Sequence, residues 1–339
     1  MGRSAIVLGG TGQIGRAVID RLLAGGWTVT SVARAVPKAG QAGVRYTACP
    51  RQDRQALRRV IGEGADALID ITAYDADDGR QLLDLGNDVG ALVVISSASV
   101  YRDGRGRTLD EAATHGFPEL PDPIPEDQPT VAPGPETYST RKVALERVLL
   151  DHASCPVTVL RPCAIHGLGS RHPREWWFVK RMLDNRPLIP LAFAGRSRFH
   201  TTSTLNIAEL VAAALERPGS RVLNIADPVA PTVAEIGATI GRAMSYQGRL
   251  IGLEEGGFPK GVGRTPWSTP RPFVLDTRAA RNLGYEPVAD YAATAGAISA
   301  DLIERAKGGD WREVFPILAA YPYDQFDYAA EDRALGSGP

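Results

Sequence analysis

The chain has 339 residues, 44% of them hydrophobic and 23% charged, with a formal net charge of -1. That balance belongs to an ordinary globular protein of one large or two modest domains, and it disfavours general affinity for nucleic acid or an anionic membrane. The three cysteines (Cys49, Cys155 and Cys163) are scattered and odd in number, and the five histidines show no metal-type pairing. Neither a disulfide framework nor a metal site is therefore expected. No apolar run reaches membrane-spanning length and no apolar signal region opens the chain, so the expected compartment is the cytoplasm.

The first stretch is the most informative. Ala5 to Leu8 is a short apolar run that ends in Gly9, and glycines recur at Gly12 and Gly15 before Ile14, Val18, Leu22 and Leu23 continue at helical spacing. Strand, tight turn and helix in this order form the entry unit of a dinucleotide-binding fold. Gly9 permits the turn, Gly12 leaves room for a pyrophosphate, and Gly15 lets the helix pack close to the strand. Backbone N–H groups from Thr11, Gln13 and Ile14 at the helix start then face the anion. The second strand, ending in Ala33, is followed by Arg34 rather than by the acid that favours NAD. An arginine there can pair with a 2′-phosphate, which points to NADP(H), with NAD(H) as the second option.

Further strands are expected at Val44 to Ala48, Ala67 to Thr72, Ala91 to Ser97 and Val157 to Leu160, alternating with helices near Arg51 to Ile61, Arg80 to Leu85 and Glu136 to Leu150. This alternation predicts an α/β protein with a doubly wound parallel sheet, the Rossmann arrangement, and a smaller C-terminal α/β domain for substrate. The expected division gives residues 1–165 and about 199–226 to the dinucleotide domain, and about 166–198 and 227–330 to the substrate domain, with 331–339 a flexible tail. Arg102 to Pro135 reads as a long functional loop. Later helices are expected at Arg174 to Leu183, Asn206 to Glu216, Thr232 to Met244 and Tyr291 to Ala306. Phe273 to Leu283 reads as strand, cap and short helix, and Gly256 to Pro272 reads as loop.

Tyr138 and Lys142 lie four apart at the start of their helix, so their side chains share one face. A lysine ammonium one turn away favours the phenolate and lowers the tyrosine pKa. Together with the Gly9/Gly12/Gly15 turn and the strand end Ser96-Ser97-Ala98-Ser99-Val100-Tyr101, the pair resembles the short-chain dehydrogenase/reductase superfamily, specifically its extended, epimerase/dehydratase-like branch. Arg161-Pro162 followed by His166-Gly167 keeps the order in which relatives show Arg-Pro and then Tyr-Gly, with His166 a departure. The likeness is strong over the first half and loose beyond.

The resemblance implies Tyr138 as acid/base, Lys142 as the group that lowers its pKa and holds the nicotinamide ribose, and Ser97 (with Ser96 as neighbour) as hydrogen-bond donor to the substrate oxygen. It also implies cofactor contacts from Thr72 and Ala73. Substrate contacts are expected from Ser99, His166, Arg174, Trp177 and His200, although Trp176, Trp177 and Phe178 read more readily as core. Asn206 stands where relatives place a helix-capping Asp. The reaction expected first is NADP(H)-dependent hydride transfer at a carbonyl/alcohol carbon. The alternative is a sugar-nucleotide epimerase or dehydratase that recycles its hydride, and a non-catalytic RNA-binding relative is a distant third. The partners implied are a small-molecule substrate, sugar- or nucleotide-linked, and a second copy in a homodimer.

Overall fold

The structure, a computed structural model, describes residues 2–62, 64–254 and 261–336. It divides into two compact units, the first comprising Met1–Cys163, Thr204–Ala226 and Leu275–Val288, the second Ala164–Ser203, Asp227–Val274 and Ala289–Pro339. Among the described residues no helix is long and apolar enough to cross a membrane.

The first unit is built on seven strands: β1 (Ser4–Leu8), β2 (Thr28–Ala33), β3 (Val44–Ala48), β4 (Ala67–Asp70), β5 (Leu92–Ile95), β6 (Val157–Pro162) and β7 (Arg221–Ile225). All pair in parallel, in the order β7-β6-β5-β4-β1-β2-β3. β4, β5 and β6 are buried at every residue, as a sheet covered on both faces requires. On one face Ile6, Leu8, Leu68 and Val94 meet Leu57, Leu82, Leu145 and Leu149 from three helices. Alternate residues point to the other face. There the helix Gln13–Ala24 packs on Thr204–Glu216, and Arg21 binds Glu209 through two hydrogen bonds of 2.5 and 3.0 Å. The strand order reverses between β1 and β4, which is where this architecture opens a crevice at the carboxyl ends of its strands.

Two expectations change within this unit. Asn206 does not cap its helix, which already begins at Thr204. Its side-chain oxygen instead accepts the Val288 amide at 2.9 Å. The strand–cap–helix stretch expected in the second domain belongs here from Leu275 on. Leu275 bridges Ile124, and the buried Asn224 amide donates to both Ile124 O and Asp276 O. Such tertiary hydrogen bonds are invisible to local patterning. The long loop after Tyr101 is likewise ordered, around the Asp103 carboxylate, which accepts the amides of Arg105, Arg107 and Glu119 and the Arg107 guanidinium.

The second unit has two small parallel pairs, Ala164–His166 with Thr201–Ser203 and Leu188–Leu191 with Arg249–Gly252. Helices Trp176–Leu183, Val233–Ala243 and Tyr291–Ala306 enclose a core of Trp176, Trp177, Phe178, Ile240, Trp267 and Phe315. Thr232 and Glu235 close a capping box at the second of these helices. Of the loop expected over Gly256 to Pro272, residues 256–260 lie outside the described residues.

Of the stretch expected as a flexible tail, 331–339, the first four residues complete the helix Tyr328–Ala334, and 337–339 fall outside the described residues. The physical reason is Arg181. Its buried guanidinium lies 3.5 Å from the Trp177 ring centroid and donates to Glu331 at 2.6 and 3.1 Å. Removing one partner leaves a buried charge uncompensated. Glu331→Ala should therefore destabilise the protein by about 3–5 kcal/mol, read as a lowered urea midpoint. An unchanged midpoint would show that the pair contributes nothing.

Candidate functional site

At the end of β1 the Gly9 amide donates to Val32 O at 2.9 Å and the Gly12 amide to Gly9 O at 3.0 Å, folding the chain into the tight turn that starts the helix Gln13–Ala24. Gly9 has φ +87°, and a Cβ there would sit 2.6 Å from Thr72 Cγ2. A Cβ on Gly15 would fall 2.3 Å from Gly9 O, so only glycine allows this approach of helix to strand. Gly12 provides no capping side chain, leaving the first amides of the helix available to an anion. Ile14 is buried, and the buried Gln13 Oε1 has no protein partner. This side-chain-free cradle fits the pyrophosphate of a dinucleotide. At the end of β2, Arg34 is exposed and makes no ion pair or hydrogen bond among the described residues.

The turn after β4 is fixed by a group the sequence reading passed over. Asp70, fully buried, accepts the Thr72 amide at 2.8 Å, the Thr72 hydroxyl at 3.0 Å and the Ala73 amide at 2.9 Å. Arg51 pairs with Asp70 and reaches Asp78 at 2.6 Å and Thr72 Oγ1 at 3.1 Å. The available signal was an aspartate inside the otherwise apolar Ala67–Asp70 strand.

Beyond β5 the two serines separate in role. Ser96 is buried and donates to Glu146, itself held by Arg161 at 2.5 and 3.0 Å. Ser97 caps the turn Ala98–Val100, accepting the Ser99 amide at 3.2 Å, and its hydroxyl lies near enough to the Tyr138 phenol to favour the phenolate. Ser99 turns its carbonyl to the Ser139 hydroxyl at 2.9 Å, while its own Oγ is buried without a partner.

The helix Tyr138–His152 starts with a capping box between Thr137 and Thr140, and Asp110 accepts the Ser139 amide at 2.8 Å. Tyr138, Lys142 and Glu146 then recur every four residues along one face. Lys142 is only 5% exposed; its Nζ donates to Ala73 O at 2.7 Å and Ile95 O at 3.0 Å, and lies 5.9 Å from the Tyr138 ring centroid. Burial lowers its pKa to about 8, against the opposing pull of Asp70 and Glu146. Tyr138 is 40% exposed. Desolvation by its neighbours raises its phenol above the ordinary value and the Ser97 hydroxyl opposes this.

The expected substrate residues of the second unit look inward. Trp177 is 0% exposed, with its ring 4.8 Å from Phe178, so it is core and has no face left for stacking. His166 is buried with Nε2 2.7 Å from Asp227 Oδ2, and His200 is buried with Nε2 2.9 Å from Asp227 O. Burial alone would raise the Asp227 carboxyl; hydrogen bonds from His166, Thr201 and the Ser203 amide hold it below its usual range. Both histidines thus serve as internal pins. Arg174 is half-buried, with a long contact of 3.4 Å to Ile165 O.

The folded-state pKa of Lys142 lies below its unfolded value of 10.5. The unfolded chain therefore binds the proton more tightly between the two values, and burial of this charge costs stability below about pH 8. That cost is relieved as pH rises toward 10.5. Urea denaturation should show wild type gaining stability relative to Lys142→Met across this window, with a flat difference below it. A difference that stays flat throughout would contradict the assignment.

Among curated proteins none matches the chain by sequence. Solved structures match its fold over most of its length. The UDP-glucose 4-epimerase of Thermotoga maritima with UDP-glucose is 17% identical, with 89% of this chain and 99% of that one covered at a TM-score of 0.65. The dTDP-glucose 4,6-dehydratase of Bacillus anthracis in complex with NAD is 16% identical, covering 93% and 99% at 0.67. The UDP-glucuronic acid 4-epimerase of Bacillus cereus in complex with UDP-glucuronic acid and NAD is 15% identical, covering 88% and 98% at 0.63. Residues 5–226 match the NAD dependent epimerase/dehydratase family. The chain belongs to that family, and is an NAD(P)-dependent enzyme of the short-chain dehydrogenase/reductase type.

Proposed function

We propose that the protein is an epimerase or dehydratase acting on a nucleotide-linked sugar, with the first unit as its dinucleotide domain and the second as its substrate domain. The family match and the NAD-bound neighbours support this reaction over the net NADPH-dependent reduction expected first. The observation that carries the chemistry is the Ser97–Tyr138–Lys142 arrangement at the carboxyl ends of β4 and β5, beside the glycine turn. A bound NAD(P) supplies a hydride acceptor that returns the same two electrons within the cycle.

The chain's own residues handle the proton and the oxygen. Tyr138 takes the proton of the substrate hydroxyl as its carbon becomes a carbonyl and, in an epimerase cycle, gives it back when that carbon is reduced. Ser97 donates a hydrogen bond to the same oxygen, where charge develops. Lys142, fixed by two carbonyls, places a positive charge below the Tyr138 ring and offsets the desolvation that resists the phenolate. Thr72 and Ala73, held in place by Asp70, and the amides near Gln13 and Ile14 would hold the dinucleotide.

Arg34 supports a second reading of cofactor choice, because an exposed, unpaired guanidinium at the end of β2 is suited to a 2′-phosphate. Tight binding of NADPH over NADH that is erased in Arg34→Ala would favour it. The proposed chemistry itself is tested with Tyr138→Phe on a panel of UDP- and dTDP-sugars. Product formation should fall roughly 10²–10⁴-fold while NAD affinity stays near that of wild type. A Tyr138→Phe protein with full turnover would contradict the role of this phenol.

A further inference from the structure

The Tyr138 ring has an aromatic neighbour that the Ser97–Tyr138–Lys142 group does not include. Tyr74 follows Ala73 in the turn after β4, and its ring centroid lies 5.8 Å from that of Tyr138 at an interplanar angle of 46°. The turn is held from beneath. Asp70 accepts the Ala73 amide at 2.9 Å, and Asp78 accepts the Tyr74 amide at 2.7 Å. The ring is held as well, since the Arg141 guanidinium stands 5.6 Å from its centroid and is itself fixed by a 2.6 Å hydrogen bond to Pro135 O. Yet Tyr74 is 36% exposed. Core packing does not account for a large ring held at backbone and side chain while remaining open to solvent.

Its placement does. Tyr138 is the first residue of its helix, and no preceding helical turn restricts its side chain. Lys142 stands on one side of the ring at 5.9 Å and Tyr74 supplies a second wall. A tilted aromatic pair at this separation contributes orientation beyond area burial.

Resting on the reading that Tyr138 moves the proton, we propose that Tyr74 is a positioning residue for that reaction, its ring holding Tyr138 in the reactive rotamer and excluding water from one side of the phenol. Proton transfer depends steeply on geometry, and a misplacement of about 1 Å can cost on the order of 10²-fold in rate. The excluded water also matters to titration. Desolvation is the main influence holding the Tyr138 phenol up; the Tyr74 phenol raises it further through its charge rather than through burial. Removing the ring should let the phenolate form at lower pH while placing it less well.

The test compares Tyr74→Phe, Tyr74→Leu and Tyr74→Ala in the full chain saturated with NAD, using the nucleotide sugar turned over by wild type. Two readouts are needed: the pH profile of kcat and kcat/KM, and phenolate absorbance at 295 nm referenced to Tyr138→Phe, which isolates the Tyr138 titration. Tyr74→Phe keeps the ring and should hold kcat within about twofold of wild type, with only the small downward titration shift that loss of the Tyr74 phenol brings. Tyr74→Leu and Tyr74→Ala should lower kcat about tenfold or more at near-constant KM, with the acid limb and the absorbance titration both shifted to lower pH.

Wild-type kcat and an unmoved titration in Tyr74→Ala and Tyr74→Leu would overturn the proposal, as would an equal loss in Tyr74→Phe, which would assign the effect to the hydroxyl. Should Tyr74→Ala not fold, Tyr74→Leu and Arg141→Met decide, the latter releasing the far side of the ring with the same direction of change. Inactive Tyr138→Phe beside unaffected Tyr74 variants sinks this proposal alone. Fully active Tyr138→Phe sinks the functional reading and this proposal together.

Discussion

The arrangement around Tyr138 depends on one buried charge pair. Glu146 and Arg161 are almost fully enclosed, joined by hydrogen bonds of 2.5 and 3.0 Å, and Ser96 donates to the same carboxylate. Burying two charges is costly unless their remaining hydrogen-bonding capacity is met, and here the serine and the bidentate geometry meet it. The pair joins the middle of the helix Tyr138–His152 to β6 and to the end of β5. Along the same face, Lys142 bonds the Ala73 carbonyl in the turn after β4 and the Ile95 carbonyl at the end of β5, and Tyr138 emerges one turn further on. One helix face therefore carries the Glu146 carboxylate, the Lys142 ammonium and the Tyr138 phenol in succession.

The sheet makes this registration useful. Its order reverses between β1 and β4, so the glycine turn after β1 and the Asp70-braced turn after β4 open side by side. The same constraint explains the glycines. Gly9 must adopt a positive φ beside Thr72, and Gly15 must let the helix approach the turn within a distance no Cβ could tolerate. Helix amides, strand ends and the Tyr138 helix thus converge on one edge of one unit, where a dinucleotide would lie. In the second unit His166, His200, Thr201 and Ser203 are all arrayed on Asp227.

Much of the first unit was legible because its signals are local. A turn that demands glycine, a run of apolar residues and a four-residue spacing on a helix are all written within a few positions. The choice between Ser96 and Ser97 was not. It depends on which hydroxyl meets Glu146, fifty residues away in the sequence. The same holds for Arg51 with Asp70, for Asn206 with Val288, and for the end of the chain, where Arg181 pairs with Glu331 across 150 positions. Trp177 and His166 were misplaced as substrate contacts because residue type does not say which face a side chain will occupy. Aromatic and imidazole groups suit a ligand and a core equally, and only packing decides.

In the proposed reaction the electrons removed from the substrate return to it. The most direct measurement is turnover of a nucleotide sugar deuterated at the carbon that is oxidised, in unlabelled NAD, with the product analysed by NMR and absorbance followed at 340 nm. Deuterium should be retained in the product, and no reduced cofactor should accumulate. Loss of the label into the cofactor pool, with stoichiometric change at 340 nm, would contradict this and return the protein to the class of net dehydrogenases.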